Sequence, residues 1–502
     1  MTIFPPLESV VDLFAVLNDQ GIRYCHWKSN LNLARSMSGS TDLDLLVDRQ
    51  HGERFRLVLH QQHVKPIVSP PDKQYPAVQD YLGFDPDTGR LFHLHVHYQL
   101  VLGEQFVKNY RLPIEQAFLD SAQIRGEENV KIPSPELELI VLTIRALLKY
   151  RDRDVVKDII SIRSPGLPSA ILRELEYLRA QVDMENVATI LESQVDFISP
   201  DIVTAFLTAI AQSPRSGRTL YRLRKRLRCD LTPYQRHSRR WATRKYLGVL
   251  LRRKLLSKRA YSSKKTPASG GLAVAVIGAD GAGKSTIVNE LREWLSWKLN
   301  VRSYYMGSQE PSLTSKLLHI GMRISKITHR VWSNLVGKER ASSRASYWIY
   351  RLWRNIRHLS IGRDRYRRYI TGKQQAAAGK IVICDRYPLM AIHKVMQDRR
   401  PMDGPQIAAE TKGQMGRLTR TLSKMEQDIY QGIYPPDCIF VLHVSPDVSQ
   451  QRKPDHSREM IEAKSRALVQ MVPQGLNIIE IDADQSFEQV LLQVKTALWQ
   501  LL

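Results

Sequence analysis

The sequence predicts an α/β protein whose C-terminal half is built on a parallel five-stranded sheet, preceded by an N-terminal α/β domain and a helical middle region. Two observations predict the sheet. Five short apolar runs alternate with stretches of helical periodicity, and such alternation indicates a parallel sheet covered on both faces. A Gly-rich turn directly follows the first run, as expected where a strand leads into a helix. The five strand candidates are 272–277, 301–306, 380–384, 438–444 and 477–481.

Domain boundaries follow from shifts in composition along the 502-residue chain, which is long enough for several domains. Ser134 and Pro135 provide a cap and a first-turn proline, which mark the start of the helical region. Near the C-terminus, Ser486 and Gln489 have the spacing of a capping box. We predict an α/β domain at 1–130, a helical domain at 131–213, a basic helical segment and linker at 214–270, and a second α/β domain at 271–502.

The composition is that of an ordinary globular protein, with 43% apolar and 25% charged residues. No apolar run reaches 18 residues, so we expect no transmembrane helix. The first residues lack the basic start and apolar core of a signal peptide. The four cysteines have neither metal-ligand nor redox spacing. These features together predict a cytoplasmic protein.

A phosphate-binding loop is the clearest motif of the chain. The run Gly-Ala-Asp-Gly-Ala-Gly-Lys-Ser-Thr matches the pattern G-x-x-x-x-G-K-[ST] and follows the first predicted strand. Its glycines let the backbone wrap a polyphosphate, Lys284 can reach the β- and γ-phosphates, and Ser285 can hold Mg²⁺. We therefore predict that ATP and Mg²⁺ bind to Gly278, Ala279, Asp280, Gly281, Ala282, Gly283, Lys284, Ser285 and Thr286.

Two further runs place charged side chains after predicted strands. Asp385 and Arg386 end the third strand, and the carboxyl ends of parallel strands face the ligand crevice. Asp385 could hold Mg²⁺ or its waters, or orient the attacking group, and Arg386 could bind an acceptor phosphate with two hydrogen bonds. A salt bridge at the strand end is the alternative. After the fourth strand, Arg452, Lys453 and Arg458 are candidates for a basic lid, or else form a solvated basic surface.

These motifs together resemble the thymidylate kinase family of P-loop kinases over about 230 residues. The resemblance rests on Gly278–Thr286, on Ile383-Cys-Asp-Arg-Tyr387 and on Ile479-Glu-Ile-Asp-Ala483 before the last helix. It implies an ATP-dependent phosphotransferase that passes the γ-phosphoryl group to a nucleotide or another anionic acceptor. In this comparison Lys284 and Ser285 serve ATP and Mg²⁺, while Asp385 and Arg386 serve the acceptor and the metal. Arg452 would belong to the lid.

Departures from the family pattern concern the acceptor. Family members follow Asp-Arg-Tyr with a Ser and then Ala-Tyr-Gln, whereas here the chain continues Pro388-Leu-Met-Ala-Ile-His-Lys-Val-Met. The family's Arg-Glu-Pro appears only as Gln309-Glu310-Pro311. An Arg-rich stretch at 351–368 has no counterpart in an ordinary thymidylate kinase. We therefore expect an acceptor other than thymidylate. A regulatory or nucleic-acid-associated ATP-binding protein or ATPase, with a degenerate N-terminal domain, is the alternative.

The N-terminal domain contains a second candidate site. Asp42 and Asp44 follow Gly39-Ser40, and two carboxylates at i and i+2 of a strand point to the same side and can share a divalent metal. This order resembles polymerase-β-like nucleotidyltransferases, in which Gly-Ser contacts the triphosphate and the Asp pair binds Mg²⁺. Trp27-Lys28 and Val96-His97-Tyr98 resemble more closely an uncharacterised bacterial nucleotidyltransferase group.

The third carboxylate of that fold has no equivalent at the matching position, which His95 occupies. His93, His95 and His97 alternate onto one strand face, which is suggestive of a metal site, although a solvated or cross-strand-paired face has the same pattern. Three interpretations remain open for this domain: an active transferase, a degenerate nucleotide-binding domain, or a structural scaffold.

The basic segment holds most of the net charge of +24, because residues 215–265 contain 19 Lys and Arg residues and one acid, Asp230. Leu247, Leu250, Leu251 and Leu255 share one helical face, and basic amphipathic helices bind anionic membrane surfaces. Nucleic acid is the less favoured partner, since no nucleic-acid motif is present. A packed helix with a solvated basic side is the third possibility. Membrane binding would place the protein at the inner face of the membrane.

Overall fold

The computed structural model divides the chain into two compact units, Met1–Ala268 and Ser269–Leu502. Each unit contains its own sheet, and the two are described separately below. The structure describes residues 5–103, 106–124, 129–150, 167–211, 217–255, 263–307, 311–337, 341–388, 404–411, 415–452, 462 and 476–502.

The first unit is built on a six-stranded mixed sheet and two small hairpins. The sheet order is β1-β2-β5-β4-β3-β10, in which β2 and β5 are parallel and the other neighbours are antiparallel. The two hairpins are β6-β7 and β8-β9. The strands are β1 (Tyr24–His26), β2 (Leu43–Val47), β3 (Lys65–Val68), β4 (Val78–Asp85), β5 (Arg90–His97), β6 (Leu100–Leu102), β7 (Tyr110–Leu112), β8 (Gln123–Ile124), β9 (Lys131–Ile132) and β10 (Thr266–Pro267).

The helices of the first unit fall into two groups, one against the sheet and one forming the predicted helical region. The described α-helices are α1 (Glu8–Asp19), α2 (Leu33–Met37), α3 (Gly52–Gln61), α4 (Glu115–Asp120), α5 (Pro135–Lys149), α6 (Ser169–Arg179), α7 (Met184–Ser193), α8 (Ile202–Ala211), α9 (Gly217–Asp230) and α10 (Arg239–Leu255). Short 3-10 turns occupy Asn30–Asn32, Arg49–His51, Pro71–Lys73 and Thr232–Tyr234.

The predicted helix start at Ser134 and Pro135 is confirmed. Ser134 caps α5, its hydroxyl accepts the Leu137 N–H, and Pro135 is the first helical residue. The apolar residues of α5 are buried on all sides of the helix, among them Leu137, Ile140, Leu139 and Leu142. A helix that is apolar nearly all round belongs inside a core, and α5 accordingly lies among the helices α6 to α9 in one apolar cluster.

The second unit contains the predicted parallel five-stranded sheet. Its strands are β11 (Leu272–Gly278), β12 (Val301–Tyr305), β13 (Ile381–Asp385), β14 (Cys438–His443) and β15 (Ile478–Asp482). They are ordered β12-β13-β11-β14-β15, and every neighbouring pair is parallel. The central strand β11 therefore lies between β13 and β14, where the connections diverge to the two sides. Such a point opens a crevice at the carboxyl ends of the strands.

The described helices of the second unit are α11 (Lys284–Ser296), α12 (Leu313–Val336), α13 (Ala341–Ala377), α14 (Arg417–Gln431), α15 (Pro446–Arg452) and α16 (Phe487–Leu501). Helix α16 begins with the predicted capping box of Ser486 and Gln489. The long helices α12 and α13 lie between β12 and β13 in the chain and pack against each other. Within the described ranges, no helix combines the length and apolar character needed to cross a bilayer.

Candidate functional site

The predicted phosphate loop connects the end of β11 to the start of α11. Gly281 and Gly283 have φ angles of 88° and 81°, in the left-handed region that glycine adopts without steric cost. A Cβ on Gly281 would also lie 3.0 Å from the carbonyl oxygen of Ser449. The loop therefore requires glycine at both positions in order to turn tightly from strand to helix, and the first N–H groups of α11 are left for a ligand.

Lys284 is the first residue of α11 and lies almost entirely buried. Its ammonium group donates a hydrogen bond to the carbonyl oxygen of Ala279, over 2.7 Å. This bond holds the positive charge across the loop that Gly278 to Gly283 form. A phosphate group bound in the loop would meet both this ammonium and the positive end of α11, so the arrangement suits a polyphosphate.

Ser285, in the first turn of α11, contacts Asp385, the last residue of β13. The Ser285 hydroxyl donates to Oδ2 of Asp385 over 2.5 Å. Parallel pairing sets Asp385 opposite Val276, two residues before the central strand β11 ends at Gly278. The other carboxylate oxygen, Oδ1, is buried and has no hydrogen-bond partner within the described part of the chain. The Ser285 hydroxyl and a carboxylate with one oxygen left without a hydrogen bond are ligands of the kind that Mg²⁺ prefers, so the residues present fit the ion.

Arg386 has a left-handed backbone, with φ of 66°. This conformation costs a non-glycine residue about 1–2 kcal/mol, and it turns the side chain back toward the loop. The guanidinium lies 3.5 Å from the Asp280 carboxylate and 5.8 Å from the centre of the Tyr305 ring. The structure thus brings Arg386 beside the phosphate loop and also shows the salt bridge that the sequence offered as an alternative.

Helix α15 closes the side of the loop next to β14. Ser449 donates a hydrogen bond from its hydroxyl to the Asp280 carbonyl oxygen. At the end of the same helix, the Arg452 guanidinium donates to the Ala483 carbonyl oxygen over 3.1 Å. The described position of Arg452 is therefore anchored on the turn after β15. The other two predicted lid residues, Lys453 and Arg458, lie outside the described residues.

The arginines of the stretch 351–368 lie on α13, and three of them have different partners. Arg354 lies 3.5 Å from Glu410, and Arg365 donates to the Tyr430 hydroxyl over 2.6 Å. Arg368 donates to the carbonyl oxygen of Tyr305 over 2.8 Å. Of these three arginines, Arg368 therefore reaches the carboxyl end of β12, next to the strand that carries Asp385. The predicted Gln309-Glu310 and the residues from Leu389 to Met396 lie outside the described residues.

Tyr305 is a site residue that the sequence reasoning missed. Its ring faces the Arg386 guanidinium, its carbonyl oxygen accepts from Arg368, and the next residue, Met306, donates its N–H to the Asp385 carbonyl oxygen. The available signal was an aromatic residue at the end of the second predicted strand. That signal alone does not indicate a site residue; the parallel pairing of β12 with β13, which sets Tyr305 opposite Asp385, does.

In the first unit, Asp44 is the centre of a buried polar network. Lys28 Nζ donates to Asp44 Oδ1 over 2.5 Å, and His95 Nδ1 donates to the same oxygen over 2.9 Å. His97 Nε2 lies 3.3 Å from His95 Nδ1. Burial alone would raise the pKa of Asp44, but the charge of Lys28 and the His95 hydrogen bond outweigh burial and hold that pKa well below its usual range.

Asp42 takes part in a separate chain of contacts on the same sheet. Its carboxylate lies 2.9 Å from Nδ1 of His93, whose Nε2 lies 3.2 Å from Asp80. Asp80 also accepts from the Ser69 hydroxyl and pairs with Lys265 at 2.9 Å. Asp80 on β4 is a third carboxylate beside this face. The sequence reasoning missed it because strand pairing, and not spacing along the chain, brings it there.

Asp44, His95 and His97 have ligand atoms that all lie within 4.8 Å of one another and could hold a metal ion. Burial lowers the pKa of both histidines, so their rings are neutral near pH 7, the form that binds metals. Two imidazoles and one carboxylate suit ions such as Zn²⁺ better than Mg²⁺. Asp42, which the sequence predicted to share a metal with Asp44, contacts His93 and does not belong to this group.

Beside this network is a cavity of about 60 Å³ with cationic walls. Lys28, Lys108, Arg145 and Lys149 line it together with Trp27. The ammonium of Lys28 and the guanidinium of Arg145 lie 4.9 and 5.9 Å from the centre of the Trp27 ring. Burial and the nearby charge of Lys28 lower the pKa of Lys108 to about 7. Cations that lower one another's proton affinity around a small cavity favour an anion inside it.

The basic segment is represented by α9, α10 and the strand β10. Helix α10 is anchored by Arg253, which pairs with Asp72 at 3.0 Å and lies 4.0 Å from the centre of the Phe106 ring. The leucines that share the predicted face are exposed: Leu247, Leu250, Leu251 and Leu255. The predicted lipid or nucleic-acid partner of this segment stays a prediction.

Two bacterial proteins are similar to somewhat less than half of this chain. The uncharacterised ATP-binding protein YghR of Escherichia coli strain K12 is 24% identical over 229 residues, which cover 45% of this chain and 85% of YghR. The uncharacterised ATP-binding protein YghS of the same strain is 25% identical over 227 residues, which cover 43% of this chain and 88% of YghS. No protein-family model matches the chain.

Proposed function

We propose that this protein binds ATP at the loop Gly278–Thr286 and transfers its γ-phosphoryl group to an anionic acceptor, as a phosphotransferase of the thymidylate kinase-like type. The observation that carries the proposal is the contact of Ser285 with Asp385 beside Lys284. It brings together, around one crevice, the three groups that such a transfer needs. The similarity to YghR and YghS, which are named for ATP binding, supports the donor half of the proposal.

Each residue of the crevice has a distinct part in the proposed reaction. The loop N–H groups and Lys284 hold the β- and γ-phosphates and stabilise the charge that develops on the transferring group. Arg386 and Arg368 face the acceptor side around Tyr305 and orient its anionic group. Arg452, with Lys453 and Arg458, would exclude water as a lid.

Mg²⁺ would be held by Ser285 and Asp385. The ion would neutralise charge on the β- and γ-phosphates. Asp385 would supply a ligand oxygen to the ion, because its buried Oδ1 accepts no hydrogen bond within the described part of the chain. Ser285 is fixed by the same carboxylate, so its hydroxyl is oriented before a ligand arrives.

A transfer assay distinguishes this proposal from the alternative of a regulatory or nucleic-acid-associated ATPase. Full-length protein is incubated with γ-labelled ATP and an extract of small anionic metabolites, with the Lys284→Ala variant as the control. A phosphotransferase gives labelled organic product in proportion to ADP. Labelled inorganic phosphate as the sole product, at the same rate with and without extract, would establish the ATPase alternative.

The acceptor is the second point of the proposal, and we expect thymidylate to be a poor one. The base-holding residues of thymidylate kinases are absent after Tyr387, whose hydroxyl here donates to the Tyr434 carbonyl oxygen over 2.7 Å. We predict kcat/KM for thymidylate below about 10⁴ M⁻¹ s⁻¹, the lower end of ordinary enzymes. A coupled ADP assay with purified protein measures it, and thymidylate turnover well above this value would contradict the prediction.

For the first unit we propose a phosphate-bearing ligand in the cationic cavity. The cavity volume is enough for a few water molecules, and therefore for one small tetrahedral anion. Four cationic side chains line it, and Asp44 beside it is already paired with Lys28. This proposal favours a nucleotide-binding domain, active or degenerate, over a structural scaffold. A divalent metal at Asp44, His95 and His97 would lie next to the bound anion.

The proposed anion site gives a pH-dependent prediction. Lys108, with a pKa of about 7, is charged below that pH and neutral above it. Anion binding favours the charged form, so we expect sulfate affinity to fall by about tenfold between pH 6 and pH 8.5. Sulfate keeps its charge over this range, unlike phosphate. Calorimetry in the Lys284→Ala background measures it, because that variant weakens the phosphate loop as a competing site.

The matched variants for this test are Lys108→Gln and, as the control, Lys225→Gln on the exposed side of α9. Lys108→Gln should weaken sulfate binding at pH 6 and reduce its pH dependence, whereas Lys225→Gln should do neither. Part of the pH dependence should remain, because burial lowers the pKa of Lys149 in the same cavity to about 8. Equal sulfate binding by both variants at both pH values would contradict the proposed anion site and favour a structural scaffold as the role of the first unit.

The basic segment is the last part of the proposal. We propose that residues 215–265 associate with an anionic membrane surface rather than with nucleic acid. A membrane interface can bury the exposed leucines of α10, whereas a nucleic acid backbone would leave them in water. The protein would then be cytoplasmic and peripheral to the inner face of the membrane.

A further inference from the structure

Helix α12 of the second unit presents more exposed apolar residues than α10 does. Helices α12 and α13 form a hairpin, and one side of α12 presents seven apolar residues spaced three or four apart, which is the spacing of a single helical face. Each of the seven is more than half exposed, from 52% to 78% of its surface. This apolar stripe consists of Leu313, Leu317, Ile320, Ile324, Ile327, Val331 and Leu335.

The hairpin holds itself together through its polar side. The Ser315 hydroxyl donates to Asp364 over 2.7 Å, and His329 meets the Ser346 hydroxyl at 2.9 Å. At the crossing, a Cβ on Gly321 would lie 2.6 Å from the Trp353 ring, so the two helices need glycine there to pack. Small and polar residues therefore lie inside the hairpin. Its apolar stripe faces outward and contributes little to joining the two helices.

Positive charge runs alongside the apolar stripe. Helix α12 has no acidic residue, and its cations each precede a stripe residue by one position, so they lie on one flank of the stripe. This basic flank consists of Lys316, Arg323, Lys326 and Arg330. In α13 the single acid, Asp364, is buried and accepts hydrogen bonds from Ser312 and Ser315. Trp332, Tyr347 and Trp348 are exposed on the same hairpin.

We propose that this hairpin docks on an anionic phospholipid surface, with the apolar stripe in the headgroup region and the basic flank on lipid phosphates. Apolar stripes bordered by cations and interfacial aromatics have the chemistry of helices that lie in a membrane interface. A second copy of the chain is disfavoured because it would bring one basic flank against another without acids to pair them. A nucleic acid would leave the stripe in water.

Vesicle co-sedimentation of the full chain tests the proposal. One vesicle set is phosphatidylcholine alone and the other contains phosphatidylglycerol, each at two salt concentrations. The stripe variant is Ile324→Ser with Ile327→Ser, and the flank variant is Arg323→Gln with Lys326→Gln. A third variant, Leu247→Ser with Leu251→Ser, removes two exposed leucines of α10 and so measures the contribution of the basic segment. The matched control is Leu57→Ser with Leu172→Ser, which removes two exposed leucines of α3 and α6 that belong to neither surface.

We expect the unmodified chain to bind phosphatidylglycerol vesicles at low salt. The stripe variant should lose about tenfold or more of this binding. The flank variant should lose about fivefold for each cation removed and become less sensitive to salt. Thermal unfolding should be unchanged in both, because the altered side chains are exposed.

Three outcomes overturn the proposal. The first is the absence of binding by the unmodified chain at low salt. The second is loss of binding in the α10 variant while the stripe variant binds normally, which assigns lipid binding to the basic segment alone. The third is that light scattering finds the unmodified chain as a dimer and the stripe variant as a monomer. The apolar stripe would then bind a second copy of the chain and not a membrane.

Discussion

Replacing Lys284 by alanine is expected to lower the turnover of ATP by about 10³-fold, as loss of one preorganised charge at a transferring group does. The ammonium is buried against the Ala279 carbonyl oxygen and is directed across the loop, so the loop backbone cannot take over its charge. We expect ATP affinity to fall as well, since the β- and γ-phosphates lose this contact. Initial rates of ADP formation and calorimetric titration with ATP measure the two effects.

The control for this variant is Lys424→Ala, which removes an exposed lysine of α14 in the same unit. It should leave both turnover and ATP affinity unchanged. If Lys284→Ala and Lys424→Ala have the same turnover as the unmodified chain, ATP is not used at this loop. Circular dichroism and thermal unfolding of both variants distinguish lost chemistry from lost folding.

Replacing Asp385 by asparagine should lower turnover by about 10- to 100-fold at limiting Mg²⁺, the range for losing a group that orients a metal site. Asparagine has the same shape and can still accept from Ser285, but it removes the negative charge at the buried Oδ1. Raising the Mg²⁺ concentration should therefore restore part of the rate. The measurement is a Mg²⁺ titration of the initial rate at saturating ATP.

Two comparisons make the Asp385 result specific. Asp428→Asn removes an exposed carboxylate of α14 and should leave the Mg²⁺ dependence unchanged. Lys284→Ala should not regain activity when Mg²⁺ is raised, because its defect lies in the protein's own cation. An Asp385→Asn enzyme with an unaltered Mg²⁺ dependence would contradict the assignment of Asp385 to the metal side.

The C-terminal sheet and the phosphate loop were predictable because their signals are local. The three central strands β13, β11 and β14 are almost continuous apolar runs, since a parallel strand that is covered on both faces has no polar side. The edge strands β12 and β15 are less apolar and include Arg302, Ser303 and Glu480. The loop needs glycine where φ is positive, at Gly281 and Gly283, so the backbone conformation is visible in the residue types themselves. The caps at Ser134 and Ser486 are also contacts between residues a few positions apart.

The N-terminal polar networks were only partly predictable. The sequence indicated Asp42, Asp44 and the three histidines of β5, because alternation assigns residues of one strand to one face. It did not indicate that Asp80 lies beside His93 or that Lys28 pairs with Asp44. Those contacts depend on which strands become neighbours, and strand order is set by the packing of the whole sheet.

Residue types were sufficient to predict the five-stranded sheet, the phosphate loop and the carboxylate at the end of β13, since backbone conformation and burial act at each residue separately. Contacts between distant residues depend on how the strands and helices pack: Ser285 with Asp385, Arg368 with Tyr305, and Asp44 with Lys28. The side of α12 that faces outward depends on packing in the same way. Periodicity shows which residues share a helix face, but only the partner helix determines whether that face is buried, and here the polar face packs on α13.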